Sequence, residues 1–140
     1  MKSSVKIITA LDHSFRSLYQ LYFQTHACHW NVTGTDFASL HAMLGEQYTR
    51  LWNSLDEIAE RYRVMGELSP TSVGAIDAPM SILPRSEMLT ALCTEQKAVI
   101  LVLKSCIEEL TLENDYSGAD LLTGLLAEHE KECWMTQSSI

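Results

Sequence analysis

The sequence predicts an all-helical domain built as a bundle of four long helices, and three observations carry that prediction. Apolar residues return every three or four positions along four long segments, the spacing of one helix face. The chain is 46% hydrophobic with six glycines and three prolines, too apolar for disorder and too poor in turn residues for a β fold. The joints between the segments run short, long, short. A length of 140 residues suits a single domain over residues 1–140, large enough to bury a substantial core.

In the first segment Ile8, Leu11, Phe15, Leu18, Tyr22, Thr25 and His29 step by three and four, with Ser3 or Ser4 placed to cap the start. Asn31 to Gly34 forms a short turn, which makes the second helix an antiparallel neighbour. That helix, residues 36–66, aligns Phe37, Leu40, Leu44, Tyr48, Leu51, Leu55, Ile58, Tyr62 and Met65, and Gly66 ends it. Pro70, Gly74, Pro79 and Pro84 then enforce a long crossover, with a short helix expected near Val73 to Ser81. After Pro84, the third helix carries Leu89, Leu92, Gln96, Val99, Leu103, Cys106 and Leu110 on one stripe. Glu113 to Ser117 is a tight joint. The fourth helix is expected from Ser117, with Asp120 three residues on as a capping-box variant, through Leu122, Leu125 and His129 to about Met135. Two short connections flanking one long one give the ferritin-like form of the four-helix bundle.

Charge and cysteine usage exclude several functions. With 18 acidic and 10 basic residues the net charge is −8, and near the start only Lys2 and Lys6 are basic, so the concentrated cationic face that neutralises phosphates is missing. Cys28, Cys93, Cys106 and Cys133 form no C-x-x-C pair and read as buried small hydrophobes in a reducing compartment. The apolar run from Val5 to Leu11 is interrupted by Lys6 and closed by Asp12 and His13, so neither a signal peptide nor a membrane span is expected and the protein is placed in the cytoplasm.

The candidate chemistry lies between His29 and Arg61. His29 and His41 precede Asp56 and Glu60, and the last two stand one helical turn apart. Imidazole with carboxylate is a ligand set for iron, zinc and manganese. On one continuous helix, however, His41 and Asp56 are separated by roughly 22 Å at ~1.5 Å per residue, too far for one ion. A site using all four residues must join His29 and His41 of one chain to Asp56 and Glu60 of another. Two copies of the helix crossing antiparallel near Thr49 would create two such sites per dimer. A site inside one bundle would use Glu-x-x-His motifs, and the sequence contains none.

These residues resemble the Dps-type miniferritins, DNA-binding proteins from starved cells. The likeness spans nearly the whole chain: HWNVTG from His29, His41 twelve residues later, DEIAER from Asp56, and the closing HEKECWM from His129. The resemblance implies a hollow shell of twelve subunits that binds Fe(II) at two-fold interfaces, through His29 and His41 of one subunit and Asp56 and Glu60 of its partner. It implies oxidation of Fe(II), often by hydrogen peroxide, and storage of Fe(III) mineral in the cavity.

Two departures from that family are visible. Its members usually carry a carboxylate four residues after the second histidine, supporting a second metal position, and here that residue is Gly45. Many members also bind DNA through a basic tail, whereas Trp134 to Ile140 contains no Lys or Arg; a shell of such chains should repel DNA. The leading expectation is an iron-oxidising storage shell. The alternatives are a metal-binding shell with an oxidation site impaired at Gly45, and a DNA-protecting shell. Of the remaining candidates, Trp30 and Trp52 read as interface packing or as traps for stray oxidising equivalents. His26 reads as a polar or interface histidine, His13 as solvent-facing and His129 as a buried imidazole. Asp120, Glu128 and Glu130 read as a solvated face, or by the resemblance as a cation pore at a three-fold axis.

Overall fold

The computed structural model describes residues 3–140; Lys2, counted above among the few basic residues, lies outside that range. Four α-helices form, α1 (Val5–Asn31), α2 (Phe37–Val64), α3 (Arg85–Leu112) and α4 (Tyr116–Ser138). No strand is present among the described residues. α1 packs on α2 and on α3, α3 packs on α4, and α2 touches α4. The long crossover carries the chain from the end of α2 back along the bundle, so that α3 runs parallel to α2. No described helix is long and apolar enough to cross a membrane.

Each helix end has a local cause. Ser4 caps α1 by accepting from the Ile7 backbone N–H at 3.2 Å. α2 closes in a Schellman turn: Gly66, at φ +82°, donates to Arg63 O and Glu67 donates to Tyr62 O, each at 3.0 Å. Asn114 does the same for α3 at φ +61°, with Asn114 donating to Thr111 O and Asp115 to Leu110 O. Two expectations are corrected here. α4 is capped by Asp115, whose side chain accepts from the Gly118 N–H at 3.1 Å, and it runs on to Ser138. Asp115 follows the turn directly, so it reaches the free amides before Ser117 can. The crossover holds only a 3-10 turn, Pro79–Ile82, in place of a helix from Val73. Gly74 takes φ +77°, a left-handed backbone that a right-handed helix cannot contain.

The apolar stripes meet along the bundle axis. Leu11, Leu18 and Leu21 of α1, Leu44, Leu51 and Ile58 of α2, Leu89, Leu92, Leu103 and Leu110 of α3, and Leu122 of α4 are fully buried. All seven stripe positions named for α3 are buried. Met80, in the 3-10 turn, plugs the side of the bundle between α1 and α3. Toward the C-terminal end of α4 the interior turns polar. Gln96 donates to Thr136 Oγ1 at 3.1 Å and to Gln47 Oε1 at 3.3 Å, and Gln47 donates to Thr136 Oγ1 at 3.3 Å. Arg50 donates to Glu132 Oε1 at 2.6 Å beside the buried His129. Such a layer pairs these side chains only in one alignment of α2, α3 and α4, and so fixes their register.

Candidate metal centre

The short α1–α2 turn brings the ends of two helices together with His29 on one and His41 on the other. Their rings stack, with centroids 3.6 Å apart and planes 18° from parallel. Each Nδ1 pairs with the backbone carbonyl of the other residue: His29 with His41 O at 2.6 Å, and His41 with His29 O at 2.8 Å. A carbonyl can only accept, so both Nδ1 atoms carry the proton and donate it. This tautomer, in the neutral ring, leaves the Nε2 lone pair for a metal ion, and the backbone holds the ring orientation. Sequence spacing placed the two histidines on neighbouring helices. It could not reveal this exchange of backbone bonds, which exists only once the turn has folded.

Gly45 follows from the same geometry. A Cβ at this position would sit 3.2 Å from His29 Cε1 and 3.4 Å from His29 Nδ1. The imidazole thus rests against the α2 backbone where any side chain would crowd it. The position that lacks the usual carboxylate is filled by one of the candidate ligands itself.

The turn that aligns these helices is tied from outside. Arg85, at the start of α3, donates Nε to Asp36 Oδ1 at 2.9 Å and Nη2 to Asp36 Oδ2, and its Nη2 also donates to Ser139 O at 2.7 Å. The Arg85 guanidinium holds the Asp36 carboxyl below its usual range. Next to the histidine pair, His26 shares a hydrogen bond with the Tyr22 hydroxyl at 3.0 Å, stacks on Tyr48 with ring centroids 3.8 Å apart, and meets Trp30 at a tilt with centroids 4.0 Å apart. Burial, and then the neighbouring His29, push the His26 pKa down. His26 is thus half-buried and partnered, while His13 faces solvent and His129 lies in the interior.

Asp56 and Glu60 lie on the exposed side of α2, one turn apart and farther along the helix than His41. Among the described residues no three of His, Cys, Asp and Glu converge to hold a metal ion. Beside Asp56 runs a groove of about 390 Å³ lined by Phe15, Tyr19, Trp52, Asn53 and Ala59. Trp30 is 57% and Trp52 55% exposed, and with Phe37 they leave a broad aromatic surface on the α1–α2 face. Asp120, Glu128 and Glu130 are exposed on α4.

The sequence profile of the ferritin-like domain family matches residues 8–140. An uncharacterised low temperature-induced protein of Nostoc sp. is 32% identical, over 96% of this chain and 79% of its own length. A DNA protection during starvation protein of Brevibacillus brevis is 27% identical, over 99% of this chain and 98% of its own. The crystal structure of a Dps protein from Bacillus brevis superposes with a TM-score of 0.88 at 25% identity, covering 99% of this chain and 98% of that one.

Proposed function

This chain belongs to the ferritin-like domain family and is a Dps-type miniferritin, and from that premise we propose that it takes up Fe(II), oxidises it with hydrogen peroxide and stores Fe(III) in a shell of twelve copies. The sites are shared between subunits: His29 and His41 of one subunit with Asp56 and Glu60 of its two-fold partner. Iron is substrate and cargo in this reading, and the oxidation consumes peroxide that would otherwise react elsewhere.

The observation that carries it is the reciprocal locking of His29 and His41. Two imidazoles held by each other's carbonyls, with Nε2 free, are pre-set as ligands without rearrangement of the bundle. The carboxylates stand roughly 22 Å away along the unbroken α2, which agrees with donation to a partner's ion. The exposed Trp30 and Trp52 and the groove beside Asp56 suit the contact face of such a pair of subunits.

The chemistry follows from the donor types. Imidazole nitrogen and carboxylate oxygen hold Fe(II) loosely enough to exchange, while the charges of Asp56 and Glu60 favour the trivalent over the divalent ion, so bound iron is the easier to oxidise. Electrons pass from iron to peroxide, and no protein nucleophile or general acid is required. Because the His29 ring occupies the space above Gly45, the chain's own residues supply one strong metal position per site. A net charge of −8 per chain opposes direct contact with DNA phosphates, so any protection of DNA would act through removal of iron and peroxide.

The test is anaerobic loading with Fe(II) followed by hydrogen peroxide, read as ferric absorbance. The wild type is expected to oxidise iron well above the buffer rate, and a His41→Ala, Asp56→Ala double variant to fall to that rate. Wild-type oxidation no faster than buffer would leave a binding shell without oxidase activity.

A further inference from the structure

Four cysteines are buried as free thiols, and two of them stand together. Cys93 on α3 and Cys133 on α4 have their sulfurs 3.6 Å apart in a shared S–H···S contact, with no group between them. We propose that Cys93 and Cys133 are a reversible dithiol–disulfide pair, closed by a peroxide oxidant and joining the two helices of the second hairpin. An S–S bond of ~2.05 Å requires the sulfurs to close by about 1.5 Å, a movement that two side chains on adjacent helices can share.

The reaction balances with the oxidant named. The Cys133 sulfur attacks one peroxide oxygen, the O–O bond breaks, and the departing hydroxide takes up the thiol proton to leave as water, giving a sulfenic acid. The Cys93 sulfur then attacks that oxidised sulfur, the S–S bond forms, and the sulfenic oxygen leaves as a second water with the Cys93 proton. Two thiols and one peroxide become one disulfide and two waters. Lys97 stands near enough to favour the Cys133 thiolate. Burial, with the Cys93 contact, nevertheless pushes the Cys133 thiol up to about 11, so the pair closes slowly and responds to sustained rather than brief oxidation. Cys28 is pushed up to about 12 by burial, and Cys106 has Ser14 as its neighbour; neither has a sulfur to resolve against.

The residues joined are 40 apart in sequence, so the closed bond removes considerable freedom from the unfolded chain and raises stability. The proposal is independent of the iron chemistry, and its test keeps the two apart. Iron-free protein is treated with hydrogen peroxide in the presence of a chelator, digested without reduction, and mapped by mass spectrometry. The expected result is loss of two of the four thiols, a cross-linked peptide pair containing Cys93 and Cys133, and a melting temperature raised by roughly 5 °C, all reversed by dithiothreitol. In Cys93→Ala, Cys133 is expected to pass to sulfinic acid, with no cross-link and no stabilisation. Four surviving thiols, cross-links through Cys28 or Cys106, or sulfinic Cys133 in the wild type without the cross-link would each overturn the proposal.

Discussion

Glu132 and His129, one turn apart on α4 with 3.7 Å between Oε2 and Nδ1, place opposite demands on pH. Burial pushes the Glu132 carboxyl up to about 7, with the Arg50 guanidinium offsetting only part of that; Arg50 is 41% exposed and shares its charge with water. Glu132 therefore contributes stability that is full below the usual carboxylate range near 4.5 and is lost as pH rises to about 7. His129 is pushed down to about 4, first by burial and then by Arg50, so its contribution is full above 6.5 and is lost as pH falls through about 4. The two slopes oppose each other across the mildly acidic range. Glu132→Gln removes one of them, so relative to wild type it should gain roughly 3 kcal/mol between pH 4.5 and 7.5. Chemical denaturation across that range checks this, and a constant difference would refute it. Gly45 offers a second test at the same scale. Gly45→Ala gains at most about 1 kcal/mol of helix propensity, yet its Cβ crowds the His29 ring at 3.2 Å and presses it away from the geometry its carbonyl partner holds. Fe(II) affinity by anaerobic titration should fall by roughly tenfold or more, while overall stability changes little.

At the scale of elements, the start of α4 is the most constrained joint. Asp115 caps the helix and also accepts from Arg61 Nη2 at 2.5 Å, tying α4 to the end of α2. Gly118 is what allows this: a Cβ there would lie 2.2 Å from Asp115 Oδ2. Gly124, on the same helix, would present its Cβ to nothing within 4 Å. The same substitution at the two sites should therefore have opposite signs. Gly118→Ala is expected to destabilise by roughly 2 kcal/mol or more, through the lost cap and a strained Arg61 pair, and Gly124→Ala to stabilise by up to about 1 kcal/mol. Urea midpoints of the two variants against wild type decide it; equal shifts would mean that the Asp115 junction yields freely.

At the scale of the whole molecule, a shared site makes a prediction that a site within one chain does not. A His29→Ala, His41→Ala chain and an Asp56→Ala, Glu60→Ala chain should each be inactive alone. When the two are unfolded, mixed equally and refolded together, half the dimers are mixed, and each of these holds one complete site and one empty of ligands. Peroxide-driven Fe(II) oxidation should then return to about a quarter of the wild-type level. No recovery, with mixed dimers verified by mass spectrometry, would mean that the four residues do not meet across the interface.

Much of this was open to inspection before folding. The 3.6-residue period from Ile8 to His29 and from Leu89 to Leu110, the glycine closing α2 and the clustered prolines after it are local signals, and local signals determine helices, ends and crossover. The separation of His41 from Asp56 is likewise fixed by helix rise alone, so that one chain cannot bring both to a single ion could be read from spacing. What required the tertiary structure were contacts between residues remote in sequence. The His29–His41 carbonyl exchange, the filling of Gly45 by His29, the Arg50–Glu132 link and the approach of Cys93 to Cys133 depend on how helices pack, and no periodicity encodes which side chains then touch. The start of α4 passed to Asp115 for a related reason: the turn at Asn114 orients that carboxylate, and only the folded backbone shows which candidate cap reaches the free amides.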